Sequence, residues 1–317
     1  MNNKLLKSII VTVGAGISIC GAVGNYFVDS YLSKKGIARL QQGPGMLDEE
    51  TRKILHSSPE SVESLDFYRS TCHRMITTPS VDGLNLHAIC YDNPSDIYVI
   101  FCHGFTGDPN CDNVFAKRYF DMGYNVILPY SRAHGKSEHK YCSMGYFERF
   151  DIVEWTKYIT NINSDAKIFL HGVSMGSATV MMATGEALPD TVRGCIADCG
   201  FTSLYDLYST MIKKLFPEFM LPVIINSANA VAKAKIGFDF RDAAPIKAVA
   251  KSVTPTLFIH GEKDDFVPFS MLDPIYNAAT CEKHKLIVPD SAHAISELVN
   301  PELYWSTVSD FIKKYSE

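Results

Sequence analysis

The chain has 317 residues, a formal net charge of −5 and 46% hydrophobic side chains, among them 18 Phe and 16 Tyr. That length and apolar content suit one large α/β domain, or a domain carrying an insertion. No Lys/Arg-rich block is present, which sets nucleic-acid binding aside, and nine scattered cysteines without a CxxC or HExxH pattern suggest neither a disulfide framework nor a metal site.

At the N-terminus, Lys4 and Lys7 precede an uncharged stretch from Ser8 to Val28 that is long enough to span a bilayer. Residues 1–30 are therefore expected to be a membrane anchor or a signal segment. Ala22-Val23-Gly24 supplies small residues at a signal-peptidase spacing, so cleavage competes with retention. Lys34, Lys35 and Arg39 rival the N-terminal lysines, and charge does not fix an orientation. Either outcome makes the protein membrane-associated, through residues 8–28, or exported, with the folded domain outside the cytoplasm. Residues 31–69 read as a linker with short helices, interrupted by Gln41-Gln42-Gly43-Pro44-Gly45.

From residue 70 to 317 the pattern is that of one α/β domain. Cys72 to Thr78 and Leu84 to Tyr91 are strand-like and flank Asp82-Gly83, a strong hairpin-turn signal. Further strands are expected at Ile97 to Cys102, Asn125 to Pro129, Lys167 to His171, Val192 to Asp198, Thr256 to His260 and Lys285 to Val288. Helical spacing lies between them, at Asn113 to Met122, Phe147 to Ile159 and Ser177 to Leu188. Strands alternating with helices predict a mostly parallel central sheet flanked by helices. The interval 201–245 carries only helical signal, with Leu204, Leu207, Tyr208, Met211, Ile212 and Leu215 at i, i+3/i+4 spacing. A helical lid beyond the carboxyl ends of the strands is expected there.

Gly172-Val173-Ser174-Met175-Gly176 directly follows an apolar strand and precedes a helix. A serine between two glycines in that setting suits a sharp strand-to-helix turn that exposes its hydroxyl. A serine hydroxyl is a weak nucleophile and needs a base, which in turn needs a carboxylate to fix its tautomer. His293 follows the last strand. Asp264 and Asp265 both follow the strand at Thr256 to His260, with Glu262 and Asp198 as weaker rivals. The histidines His103, His134, His171 and His260 sit at loop or strand-end positions and read as structural.

These motifs together resemble those of α/β hydrolases, and in particular bacterial serine hydrolases of the membrane-tethered BEM46/YqkD type and the S33 and S9 peptidase-like relatives. The likeness spans roughly residues 70 to 315. It rests on His103-Gly104-Phe105-Thr106-Gly107, Arg132-Ala133-His134-Gly135-Lys136-Ser137, the Gly172-to-Gly176 turn, Gly261-x-x-Asp264-x-x-Val267-Pro268 and Ser291-Ala292-His293. The resemblance implies Ser174 as nucleophile, His293 as base and Asp264, three residues from both Gly261 and Val267, as the orienting acid. It also implies an oxyanion hole from the backbone N–H groups of Phe105 and Met175. The expected activity is cleavage of a carboxylic ester in a small acyl substrate through an acyl-enzyme, without a cofactor. Peptide or thioester cleavage would use the same groups, and a catalytically silent binding protein is the non-enzymatic alternative.

Overall fold

The structure, a computed structural model, describes residues 20–42, 49–109 and 113–317. Eight strands form one sheet: β1 (Arg74–Pro79), β2 (Asn85–Tyr91), β3 (Ile97–Cys102), β4 (Asn125–Pro129), β5 (Lys167–Val173), β6 (Val192–Asp198), β7 (Thr256–Gly261) and β8 (Lys283–Val288). Their spatial order is β1-β2-β4-β3-β5-β6-β7-β8. The β1–β2 and β2–β4 pairs are antiparallel and every other pair is parallel. Asp82-Gly83 does form the expected β1–β2 turn, with Gly83 at φ 82.

The central strands are apolar along their whole length because both faces of the sheet are covered. On one face lie α4 (Pro59–Ser70), α5 (Asn113–Asp121) and the C-terminal helix (Pro301–Ser316), which contribute Phe67, Tyr119, Tyr304 and Val308 to a core with β3, β4 and β5. On the other lie α6 (Glu148–Ile162) and α7 (Met175–Ala183), with Trp155, Ile159 and Val180 against Ile100, Ile168 and Leu170. The chain order reverses at β3, which has β4 on one side and β5 on the other. A crevice opens beyond the carboxyl ends of strands at such a reversal. The loops leaving β3 and β5 carry Phe105 and Ser174 into it.

The 201–245 interval is helical, as its spacing predicts. Ser203 caps α8 (Leu204–Leu215) by accepting the Asp206 N–H at 3.1 Å. A short 3-10 turn, Glu218–Met220, leads to α9 (Leu221–Lys235), which carries Pro in its first turn. Leu207 and Ile212 of α8 and Ile225 and Ala228 of α9 bury into a cluster that also holds Met175 and Val267, beside the crevice.

The N-terminal segment differs from its sequence reading. Residues 20–31 are helical (α1), and Val28 and Leu32 are fully buried in the same cluster as α8 and α9. Phe27 meets Tyr208 edge-on at 5.1 Å, and Asp29 pairs with Lys235 at 2.8 Å. The chain then joins the body of the domain: Cys142 N–H donates to Leu32 O at 2.7 Å and Lys34 N–H to Lys140 O at 2.9 Å. It continues as α2 (Lys34–Gln42), followed by α3 (Glu49–Ser57) and α4. One face of residues 20–28 of the expected 8–28 span, with Gly24 and Val28 buried, therefore packs on protein, and residues 8–19 lie outside the described residues. Among the described residues no helix is long and apolar enough to cross a membrane, so the anchor reading has no support from them.

Candidate active site

Ser174 sits between β5 and α7 at φ 57, ψ −115, a conformation few L-residues adopt. The flanking glycines make that bend possible. A Cβ on Gly176 would fall inside the Cys102 carbonyl, and one on Gly172 would strike the Gly176 carbonyl. The strained backbone is held by neighbours: Ser174 N–H donates to Asp198 O at 2.9 Å, and Ala178 N–H closes the first helical turn on Ser174 O at 3.0 Å.

His293 reaches the elbow from the loop after β8. Its Nε2 lies 2.9 Å from Ser174 Oγ and its Nδ1 lies 2.7 Å from Asp264 Oδ2. All three side chains are buried. Residues separated by 119 and 29 positions are thus joined in one hydrogen-bonded relay. A protonated Nδ1 donating to the carboxylate leaves Nε2 free to accept from the serine hydroxyl, the tautomer that base catalysis needs.

The choice between the two aspartates is decided by direction. The Asp265 side chain is 91% exposed and pairs with Lys214 on α8 at 3.5 Å. Asp264 turns inward, and its Oδ1 accepts the backbone N–H groups of Phe266 at 3.0 Å and Val267 at 2.9 Å. Its Oδ2 faces His293 and also lies 3.3 Å from His260 Nε2. Burial alone would push the Asp264 carboxyl up, but the charge of His293 and the hydrogen bonds from both histidines hold it below the usual carboxylate range. Of the rival acids, Glu262 is exposed. Asp198 is committed elsewhere, accepting the Tyr304 hydroxyl at 2.9 Å, and burial pushes it up to about 6.

The loop after β3 flanks Ser174: a Cβ built on Gly104 would lie 3.5 Å from Ser174 Cβ. Phe105 N–H follows that glycine, and Met175 N–H is the first amide of α7. Neither donates a hydrogen bond elsewhere among the described residues. His103 fixes the loop, its Nε2 accepting the Ser131 N–H at 3.1 Å while its Nδ1 donates to Gly104 O at 2.8 Å. Burial drives His103 down to about 3, so it is a neutral strut. His134 bonds Arg132 O and is likewise depressed, to about 4, by burial. His171 lies between the Tyr119 hydroxyl at 2.6 Å and the Tyr304 hydroxyl at 3.1 Å, and burial lowers it to about 3.

Two contributors were not assigned a role from sequence. His260 was read as a core-edge histidine, yet its Nε2–H donates to Val267 O at 3.0 Å and faces the carboxylate of Asp264. The spacing His260-x-x-x-Asp264 at a strand end is the signal that pairs them. Arg132 is the other, a buried guanidinium doubly bonded to Asp151 and Asp82 that ties the β1–β2 turn to α6. Cys199 Sγ lies within 4.8 Å of the Asp264 and His293 ligand atoms. Burial pushes that thiol well above its ordinary value, and the other two groups bond each other, so the trio is poorly disposed to hold a cation.

Comparison with known proteins agrees with this architecture. A family model described as the alpha/beta hydrolase fold matches residues 97–242, from β3 through the elbow to the end of the helical insertion. The chain has the α/β-hydrolase fold. It is similar along nearly its whole length to the Bacillus subtilis (strain 168) protein YqkD, with 26% identity over 315 residues covering 98% of this chain and 99% of the relative. Among solved structures it resembles the Pyrococcus furiosus esterase Pf2001, at 23% identity and TM-score 0.64, covering 78% of this chain and 94% of that one. An acetyl xylan esterase from Paenibacillus sp. R4 superimposes with TM-score 0.58 at 14% identity, covering 88% of this chain and 99% of the other.

Proposed function

We propose that the protein is a serine hydrolase that cleaves carboxylic esters of small acyl substrates through an acyl-enzyme on Ser174. The observation that carries this reading is the unbroken relay from Ser174 Oγ through His293 to Asp264, at 2.9 and 2.7 Å. Ser174 Oγ attacks the ester carbonyl while His293 Nε2 takes its proton. The resulting oxyanion accepts the N–H groups of Phe105 and Met175, each worth a few kcal/mol in such sites. His293 then returns the proton to the departing alkoxide, leaving the acyl group on Ser174. A water, deprotonated by the same nitrogen, releases the acid. Asp264 keeps Nδ1 protonated and stabilises the imidazolium that forms in each half-reaction.

Esterases among the proteins of similar fold support the ester assignment, and the apolar surroundings of the elbow, with Phe105, Met175 and Phe266 in one cluster with α8 and α9, favour an apolar acyl group. The test is labelling of the folded protein by a fluorophosphonate probe. Wild-type protein is expected to label and Ser174→Ala to remain unlabelled. No labelling of wild type would favour a silent binding protein, and labelling that persists in Ser174→Ala would remove Ser174 from the reaction. A panel of p-nitrophenyl esters, thioesters and aminoacyl amides then separates esterase from thioesterase and peptidase chemistry, with short esters expected to turn over fastest.

A further inference from the structure

The turn joining α8 to α9 exposes four large apolar side chains. Leu215 is 74% exposed, Phe216 43%, Phe219 79% and Val223 48%. They crown the end of a helical pair whose opposite face is buried around Leu207, Ile212 and Ile225, so the domain core does not require them there. Lys213 and Lys214, in the last turn of α8, flank the tip and pair with Glu218 at 3.9 Å and Asp265 at 3.5 Å. Clustered exposed apolar groups of this kind mark an interaction surface.

The direction of α1 says which surface. A Cβ on Gly24 would overlap the Ser227 carbonyl and lie 2.8 Å from Val231, while Asp29, further along α1, pairs with Lys235, further along α9. The two helices therefore run parallel. At 1.5 Å per residue, one turn back from Gly24 brings Cys20 level with about residues 223–227, beside the exposed tip. What precedes Cys20 in the sequence is the uncharged run Ser8–Ile19, with Lys4 and Lys7 before it. The apolar tip and the point from which that run extends lie at the same end of the molecule.

We infer that the α8–α9 tip is a docking surface for a lipid bilayer, which Phe216, Phe219, Leu215 and Val223 enter at the boundary between headgroups and acyl chains. A second protein is a poorer match. Four side chains on a turn offer on the order of 400–500 Å², against roughly 800 Å² per partner in a stable protein interface. Shallow insertion of aromatic and aliphatic groups flanked by lysines is the pattern of a peripheral membrane contact. The inference does not depend on the hydrolase reading, because nothing in it involves Ser174.

Phe219→Trp in the full chain tests it. The two native tryptophans, Trp155 and Trp305, are buried and provide a constant background. The new indole is expected to emit as a water-exposed group in buffer. On phosphatidylcholine/phosphatidylglycerol vesicles its emission should move to shorter wavelength and be quenched by brominated acyl chains. Replacing Phe216 and Phe219 by Ser should weaken partitioning by about tenfold per phenylalanine. Three results overturn the inference: no binding to the vesicles, binding with a water-like indole that brominated chains do not quench, or an indole already shielded in buffer. The last would mean that residues 8–19 or a second copy of the chain covers the tip.

Discussion

Asp264→Asn isolates the tautomer argument, because the two oxygens of Asp264 are held in different ways. Oδ1 accepts two backbone N–H groups, from Phe266 at 3.0 Å and Val267 at 2.9 Å, and backbone amides cannot reverse their polarity. An asparagine keeps its carbonyl on that side and turns its NH₂ toward His293 Nδ1, now 2.7 Å from a donor instead of an acceptor. The imidazole can adapt only by moving its proton to Nε2, which then points at Ser174 Oγ and cannot accept from it. The same substitution in a trypsin-like triad lowers kcat by about 10⁴-fold, or about 5 kcal/mol of barrier, and that is the loss expected here. Side-chain volume and both backbone hydrogen bonds are conserved, so the melting temperature should stay within a few degrees of wild type. Hydrolysis of p-nitrophenyl acetate gives kcat and KM, with circular dichroism as the fold control. Asp265→Asn, altering an exposed group paired only with Lys214, should leave kcat within about twofold. If Asp264→Asn kept more than a tenth of wild-type kcat, or Asp265→Asn lost as much, the orienting role assigned to Asp264 would be wrong.

Further outcomes concern stability and pH. Arg132→Met leaves the buried Asp151 without its partner and should cost about 3–5 kcal/mol in urea denaturation, whereas a cost below about 1 kcal/mol would contradict the burial of that pair. Gly176→Ala drives a Cβ into the Cys102 and His103 carbonyls and should both lower the melting temperature and abolish probe labelling, and full labelling by a stable variant would show that the turn can relax. His103, His134 and His171 are depressed to about 3, 4 and 3, so their contribution is fully present above the unfolded value of about 6.5 and is lost as pH falls. Asp198, raised to about 6 by burial, and Asp151, raised to about 7 by burial, oppose them by one proton each between pH 6 and 4. For these five groups the net is at most about 1.4 kcal/mol lost per pH unit in that window, and a urea midpoint that rises from pH 6 to pH 5 would refute the neutral, buried state of the histidines. Leu207→Ala, fully inside the α8 core, should cost about 2–5 kcal/mol, and a neutral result would mean that α8 is not packed as described.

The sheet and the turn that carries Ser174 were legible because their signals are local. β-rich apolar runs ending at His103-Gly104, His171-Gly172 and His260-Gly261 mark strands that terminate at one edge, and glycine-flanked Ser174 needs no distant information to be read as a turn. Limits of elements were less visible. α7 starts at Met175, straight after Ser174 and two residues before the expected start, and ends at Ala183, five residues short of the expected Leu188. The partner of His293 required direction as well as spacing, which separates Asp264 from Asp265 only once the loop is folded. The N-terminal segment was least legible. An uncharged, glycine-rich run reads equally as lipid-facing helix or as a helix packed closely on protein, and Gly24 against the Ser227 carbonyl is the second case. Hydropathy records what a residue avoids, and both lipid and a protein core satisfy that preference.

The seam between α1 and α9 bears on how the polypeptide matures. Proteolysis directly after Gly24 would take away the turn that rests on Ser227 and Val231, and would leave a new ammonium group at Asn25 beside a hydrophobic contact, only three residues ahead of the fully buried Val28. Downstream, Gln41 donates its side-chain amide to the Thr106 carbonyl at 3.1 Å, immediately after the Phe105 amide assigned to the oxyanion. Trimming the leader would remove the close approach of Gly24 to α9 and leave the Gln41 contact on the retained chain.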